Sequence, residues 1–117
     1  MRVPVRLPVA GFAIRIEYVE KILDEDGQSI WGETVCGANL IRVSTSKPTD
    51  ESQVWATLYH ELNHVAWDIS GINNVVDDKI EEALAHSVDN LLGPILALRP
   101  DIRGAKYRDV EFEFEED

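Results

Sequence analysis

An α+β domain is the fold class this sequence predicts, on three observations. Residues up to about 45 alternate with a period of two. From about residue 49 the apolar residues recur with helical spacing, and they do so twice. The chain is 117 residues long, with 44% hydrophobic and 28% charged residues, which fits a single globular domain with a small core.

Taken in order, the first candidate strand is "FAIRIEYVE" at residues 12 to 20, with Phe12, Ile14, Ile16 and Tyr18 alternating against Ala13, Arg15, Glu17 and Val19. "DEDGQ", residues 24 to 28, reads as a turn in which Gly27 is free to take a positive φ. "SIWGETVCG" reads as a weaker strand interrupted by Gly32. "NLIRVST", residues 39 to 45, is a short strand with Ile41 and Val43 on one face and Leu40 and Arg42 on the other. A helix is expected from about Thr49 to Ser70, with Val54, Leu58, Leu62, Val65 and Ile69 as its stripe. Thr49 suits its N-cap, Asp50 and Glu51 its first turn, and Gly71 its stop. A second helix fits Asp78 to about Leu98, on the stripe Ile80, Leu84, Val88, Leu91 and Ile95, with Pro94 kinking or ending it. The closing "DVEFEFEED", 109 to 117, reads as an acidic tail or an edge strand.

The net charge of −11 argues against nonspecific binding to nucleic acid or anionic membrane, which needs clustered Lys and Arg. Cys36 is the only cysteine, so no internal disulfide is possible, and it reads as a small hydrophobe. The N-terminal stretch is broken by Pro4, Pro8 and charges, unlike a signal peptide, and no run reaches transmembrane length. A cytoplasmic chain is expected.

The chemistry concentrates in "HELNH", residues 60 to 64. At about 100° per residue, His60 and His64 fall nearly opposite the apolar stripe, flanked by Thr57, Glu61 and Asp68. Imidazoles at i and i+4 can reach one metal ion, and a glutamate directly after the first can serve as general base to a water beside it. A catalytic zinc usually has three protein ligands. Trp67 and Ser70 exclude the spacing in which a histidine farther along the same helix is the third. The remaining common source is a glutamate on the next helix, where "KIEEALAH" offers Glu81 and Glu82. Glu81 stands three residues after Asp78, where a capping pair would use it. Glu82 lies in a polar stripe with Asp78, Ala85, His86 and Asp89 and is preferred, with Glu81 as the alternative. His86, one turn on, is placed to orient a ligand by hydrogen bond or to steady an oxyanion, and Asp89 reads as a solvated residue. Tyr59 and Tyr107 are further oxyanion candidates. Trp55 falls beside the apolar stripe and Trp67 on the histidine side; Trp31 has no assignment. A deformylase-type site is disfavoured, because Asn63 precedes the second histidine and "TVCGA" lacks the expected neighbours of its cysteine.

"TLYHELNH" followed by "EEALAH" resembles the gluzincin arrangement. With "GETVCGANLIRVS" before it and "EEALAHSVDNLL" after it, residues 32 to 92 are similar to small phage and bacterial HExxH metallopeptidase-like proteins, akin to the ImmA/IrrE group. His86 stands where that pattern usually has Asn or Asp. The resemblance implies a minimal zincin-like domain, with a small, mostly antiparallel sheet packed on the HExxH helix and a second helix bearing the third ligand. It implies His60, His64 and Glu82 as ligands of Zn2+, Glu61 as catalytic base, and the strand at 39 to 45 as the sheet edge beside the site. The expected activity is zinc-dependent hydrolysis of a peptide or protein substrate. The alternative is a non-catalytic metal-binding regulatory or interaction protein. His₂Glu suits zinc, though other divalent ions bind such sites.

Overall fold

The computed structural model describes residues 1–9, 11–35, 37–71, 75, 77–83 and 103–114. Among the described residues, seven strands and one long helix run in the order β1 (Arg2–Val9), β2 (Phe12–Val19), β3 (Ile22–Leu23), β4 (Ser29–Ile30), β5 (Gly32–Val35), β6 (Leu40–Ser44), α1 (Glu51–Ser70) and β7 (Lys106–Asp109). Residues 78–83 are helical as well. Five strands form one mixed sheet in the order β5-β6-β2-β1-β7, in which only the β2–β6 pairing is parallel. The α+β class therefore holds. β3 and β4 make a separate small hairpin, closed as expected by Gly27 at φ 78° and by Asp24 Oδ1, which accepts from the Asp26 and Gln28 amides.

Register decides which side of the sheet is buried. Gly32 pairs with Val43, Thr34 with Ile41, Ile41 with Ile16, and Val43 with Tyr18, so these residues share one face. Ile14, Ile16, Ile41 and Val43 from that face join Val54, Trp55, Leu58 and Val65 of α1 in the core, together with Val3 and Leu7 of β1. The opposite face carries Glu33, Arg42 and Glu17 as cross-strand partners. There Arg42 bridges Glu33 at 3.2 Å and Glu17 at 3.4 Å, both half-exposed pairs of the kind that adds little stability.

Several features depart from the sequence reading. β1 is an eight-residue strand although it holds Pro4 and Pro8, and its register shifts between Pro4 and Arg6. The N-cap of α1 is Asp50, whose side chain accepts from the Gln53 amide at 2.9 Å, while Thr49 bonds back to Gln53 Oε1 one step outside. The edge beside α1 is β5, whereas β6 lies inside the sheet between β5 and β2. Ile80, expected in a buried stripe, is exposed. At the other edge, β7 pairs with β1, and beyond it Phe112 and Phe114 pack against the core instead of fraying. Gly71 ends α1 in the left-handed region at φ 81°, as expected. Cys36, Leu84, Ala85, His86, Val88, Asp89, Leu91, Pro94, Ile95 and Leu98 lie outside the described residues. No helix among the described residues is long and apolar enough to cross a membrane.

Candidate metal centre

Helix α1 supplies three of the site's residues from adjoining positions. Its apolar flank is seated on β5 and β6, and its other flank carries His60 and His64 with their rings 4.9 Å apart. The two Nε2 atoms face each other at 3.3 Å. Across from them, residues 78–83 begin with Asp77 as cap: its Oδ1 accepts from the Ile80 amide at 2.9 Å, and its carbonyl accepts from the Glu81 amide at 3.0 Å. The cap is thus one residue earlier than Asp78, which releases the Glu81 side chain from capping.

Both neighbouring carboxylates then reach the histidines. Glu82 Oε1 stands 2.8 Å from His64 Nε2, and Glu82 Oε2 stands 3.6 Å from His60 Nε2. Glu81 goes to the other side of the same ring, where His64 Nδ1 donates to its Oε1 at 2.7 Å. His60, His64 and Glu82 each present one ligand atom, all within 4.8 Å of one another, and can hold a metal ion. Trp67 stands edge-on to His64 at 5.9 Å and forms a wall beside it. Trp55 belongs to the core. Trp31 is exposed.

Glu61 occupies the line between the two flanks. It is 7% exposed, and the Thr34 hydroxyl reaches its Oε2 at 2.6 Å from the edge strand β5. This close approach depends on Gly32, because a Cβ there would stand 2.7 Å from Thr57 Cγ2 and 3.4 Å from Glu61 Cγ. Burial raises the Glu61 pKa above the ordinary carboxylate range; the Thr34 hydrogen bond, His60 and His64 oppose this without reversing it, and Glu82 adds to it. For His64, burial favours the neutral ring, but Glu81, Glu61 and Glu82 together outweigh it and the net direction is up.

Two of the oxyanion candidates face elsewhere. Tyr59 stacks on Trp55 at 6.0 Å, Tyr107 lies under the Arg2 guanidinium at 4.4 Å, and both pack against the core. The residues that sequence reasoning missed are Thr34 and Gly32. Their shared strand face was the available signal, but it speaks only once the register against β6 is known. No family model, curated protein or solved structure matches the chain.

Proposed function

We propose that this protein is a zinc-dependent peptidase of the zincin type, with His60, His64 and Glu82 as metal ligands and Glu61 as general base. The observation that carries this reading is the convergence of two imidazole nitrogens and one carboxylate from two helical segments, beside a buried glutamate. Ligands at about 2.0–2.1 Å around a tetrahedral zinc stand roughly 3.3 Å from one another. The 3.3 Å between the two Nε2 atoms matches that value, and Glu82 approaches the rings through different oxygens, Oε1 at 2.8 Å from His64 and Oε2 at 3.6 Å from His60. When bound, zinc would lower the pKa of a water and polarise the scissile carbonyl.

The chain's own groups complete the reaction. Glu61 takes one proton from the attacking water as its oxygen bonds to the peptide carbon. It then delivers that proton to the amide nitrogen as the C–N bond breaks. A carboxylate held above its usual pKa is better matched to both transfers than a fully solvated one. Thr34 fixes the carboxylate from one side, which limits the rotamers Glu61 can take. The outer side of β5 ends the sheet next to Glu61, and an extended peptide added there as a strand would lie along the site.

The test is metal analysis and proteolysis with protein purified without a histidine tag or chelator. Expected are about one zinc per chain and cleavage of an unfolded protein such as denatured casein. Glu61→Gln should keep the metal and lose cleavage by at least about 100-fold. Absence of stoichiometric metal overturns the proposal. Metal retained with no cleavage by the unaltered chain turns the site into a non-catalytic metal centre of a regulatory or interaction protein.

A further inference from the structure

We infer that Glu81 is the positioning residue of this site: by engaging Nδ1 it holds the His64 ring with Nε2 turned toward the metal position. The inference rests on the metal reading proposed above and adds a role to the carboxylate that reading leaves over. Sequence alone offered Glu81 as the competing ligand or as a helix cap, and gave the orienting role to His86.

The argument starts from the imidazole. Its two nitrogens point to opposite sides of the ring, so a histidine that presents Nε2 inward must satisfy Nδ1 elsewhere. Here Nε2 of His64 faces His60 Nε2 and Glu82, while Nδ1 lies 2.7 Å from Glu81 Oε1. An ionised carboxylate only accepts, which puts a proton on Nδ1 and leaves Nε2 as the nitrogen turned toward the metal position. Exposure separates the carboxylates in the same sense. The Glu81 side chain is 12% exposed, as suits a fixed hydrogen-bond partner, and that of Glu82 is 50% exposed, as suits a group at the open side of a site. Trp67, edge-on to the same ring, restricts its rotation further.

The local chain geometry accounts for the division. With Asp77 as the cap, Glu81 and Glu82 are the fourth and fifth helical residues of the segment and diverge by about 100° around the axis. One carboxylate therefore passes to each side of the His64 ring. Adjacent residues thus take two different roles at one ligand. An outer carboxylate of this kind raises the basicity of the ring and removes the cost of orienting it when metal binds.

Glu81→Ala, Glu81→Gln and Glu82→Ala are compared with the unaltered protein by zinc competition against a chromophoric chelator and by ¹⁵N NMR of the histidine side chains in the zinc-loaded state. Glu81→Ala should still take one zinc at saturation, with affinity reduced about 10- to 100-fold. Its His64 should lose the strongly hydrogen-bonded Nδ1–H signal. Glu81→Gln retains an acceptor oxygen and should recover most of the affinity, which a merely structural role for the charge would not predict. Glu82→Ala should lose stoichiometric zinc. Unchanged affinity and an unchanged Nδ1–H signal in Glu81→Ala overturn this inference alone and leave the metal reading standing. Zinc lost in Glu81→Ala but kept in Glu82→Ala also overturns it, by making Glu81 the ligand. If the unaltered chain takes no zinc, both readings fall together.

Discussion

The two flanks of helix α1 face opposite demands. On one, Val54, Leu58 and Val65 are buried in the hydrophobic core where α1 lies on β5 and β6. On the other, His60 and His64 are half-buried and meet carboxylates from residues 78–83. The first flank fixes the helix and the second uses the position so fixed. Glu61 sits where they meet, buried like the core but polar like the site. What the contrast teaches is that the base is held by the sheet while the ligands look away from it. Changes in the two flanks should therefore separate metal binding from stability.

The largest separation is expected at His64. His64→Ala removes one of three converging ligands and should take metal content from about one per chain to none detectable, with unfolding of the metal-free protein by urea changed by less than about 1 kcal/mol. Persistence of stoichiometric metal would show that the three-residue group is not the site. Next is the opposite flank. Leu58 is fully buried, and Leu58→Ala should cost about 2–5 kcal/mol through lost burial and the cavity left behind. The folded fraction should still bind one metal ion. A variant that folds normally yet loses metal would mean that the flanks are not independent.

Gly32 tests the boundary between them. Its backbone φ is not positive, so Gly32→Ala adds no conformational strain; the added methyl instead meets Thr57 Cγ2 and the Arg42 carbonyl. Overpacking of this kind costs about 1–3 kcal/mol. Because the strand must then move away from α1, the Thr34 contact to Glu61 should weaken, and activity should fall more than metal affinity. Equal losses of both would place Glu61 outside the control of β5.

Much of this was legible in the sequence, and the failures share a cause. The helical period separated His60 and His64 from the apolar stripe correctly, because spacing within one helix fixes relative direction. It also placed Glu61 beside the two histidines, but burial of Glu61 could not be read, since that depends on how close β5 comes. Periodicity ranked Glu82 over Glu81, yet gave no hint that Glu81 reaches the far side of His64, which follows from the start of the segment at Asp77. β1 was missed because prolines such as Pro4 and Pro8 argue against a strand; its register against β7 shifts just after Pro4, while Pro8 pairs in unbroken register with Ala13 of β2, and no local pattern announces either. Strand order was beyond reach for the same reason as burial. The pairing of β6 with β2 is parallel and joins segments distant in sequence, so the assignment of the edge fell on β6 instead of β5.

The smallest effect expected is a pH response that belongs to the core side alone. Tyr18 lies on the helix-facing side of β2, donates its hydroxyl to the Pro4 carbonyl at 2.5 Å and meets Phe112 edge-on at 5.7 Å. Burial pushes its pKa well above the ordinary phenol range; Arg108 pulls the other way and Tyr107 adds to the rise. The folded pKa is therefore higher than the unfolded one. The stabilisation is complete below the unfolded value of about 10 and is lost as pH rises above it, because only the unfolded chain can ionise there. Tyr18→Phe should cost about 1 kcal/mol near neutral pH by deleting one hydrogen bond. Above pH about 10 the unaltered protein should lose up to about 1.4 kcal/mol per pH unit that the variant does not, so the gap between them should narrow. Urea titrations of both proteins at neutral and alkaline pH measure this gap. A gap that stays constant would mean that Tyr18 ionises as readily in the folded chain as in the unfolded one, and that the seal between β1, β2 and Phe112 is looser than the core on which α1 rests.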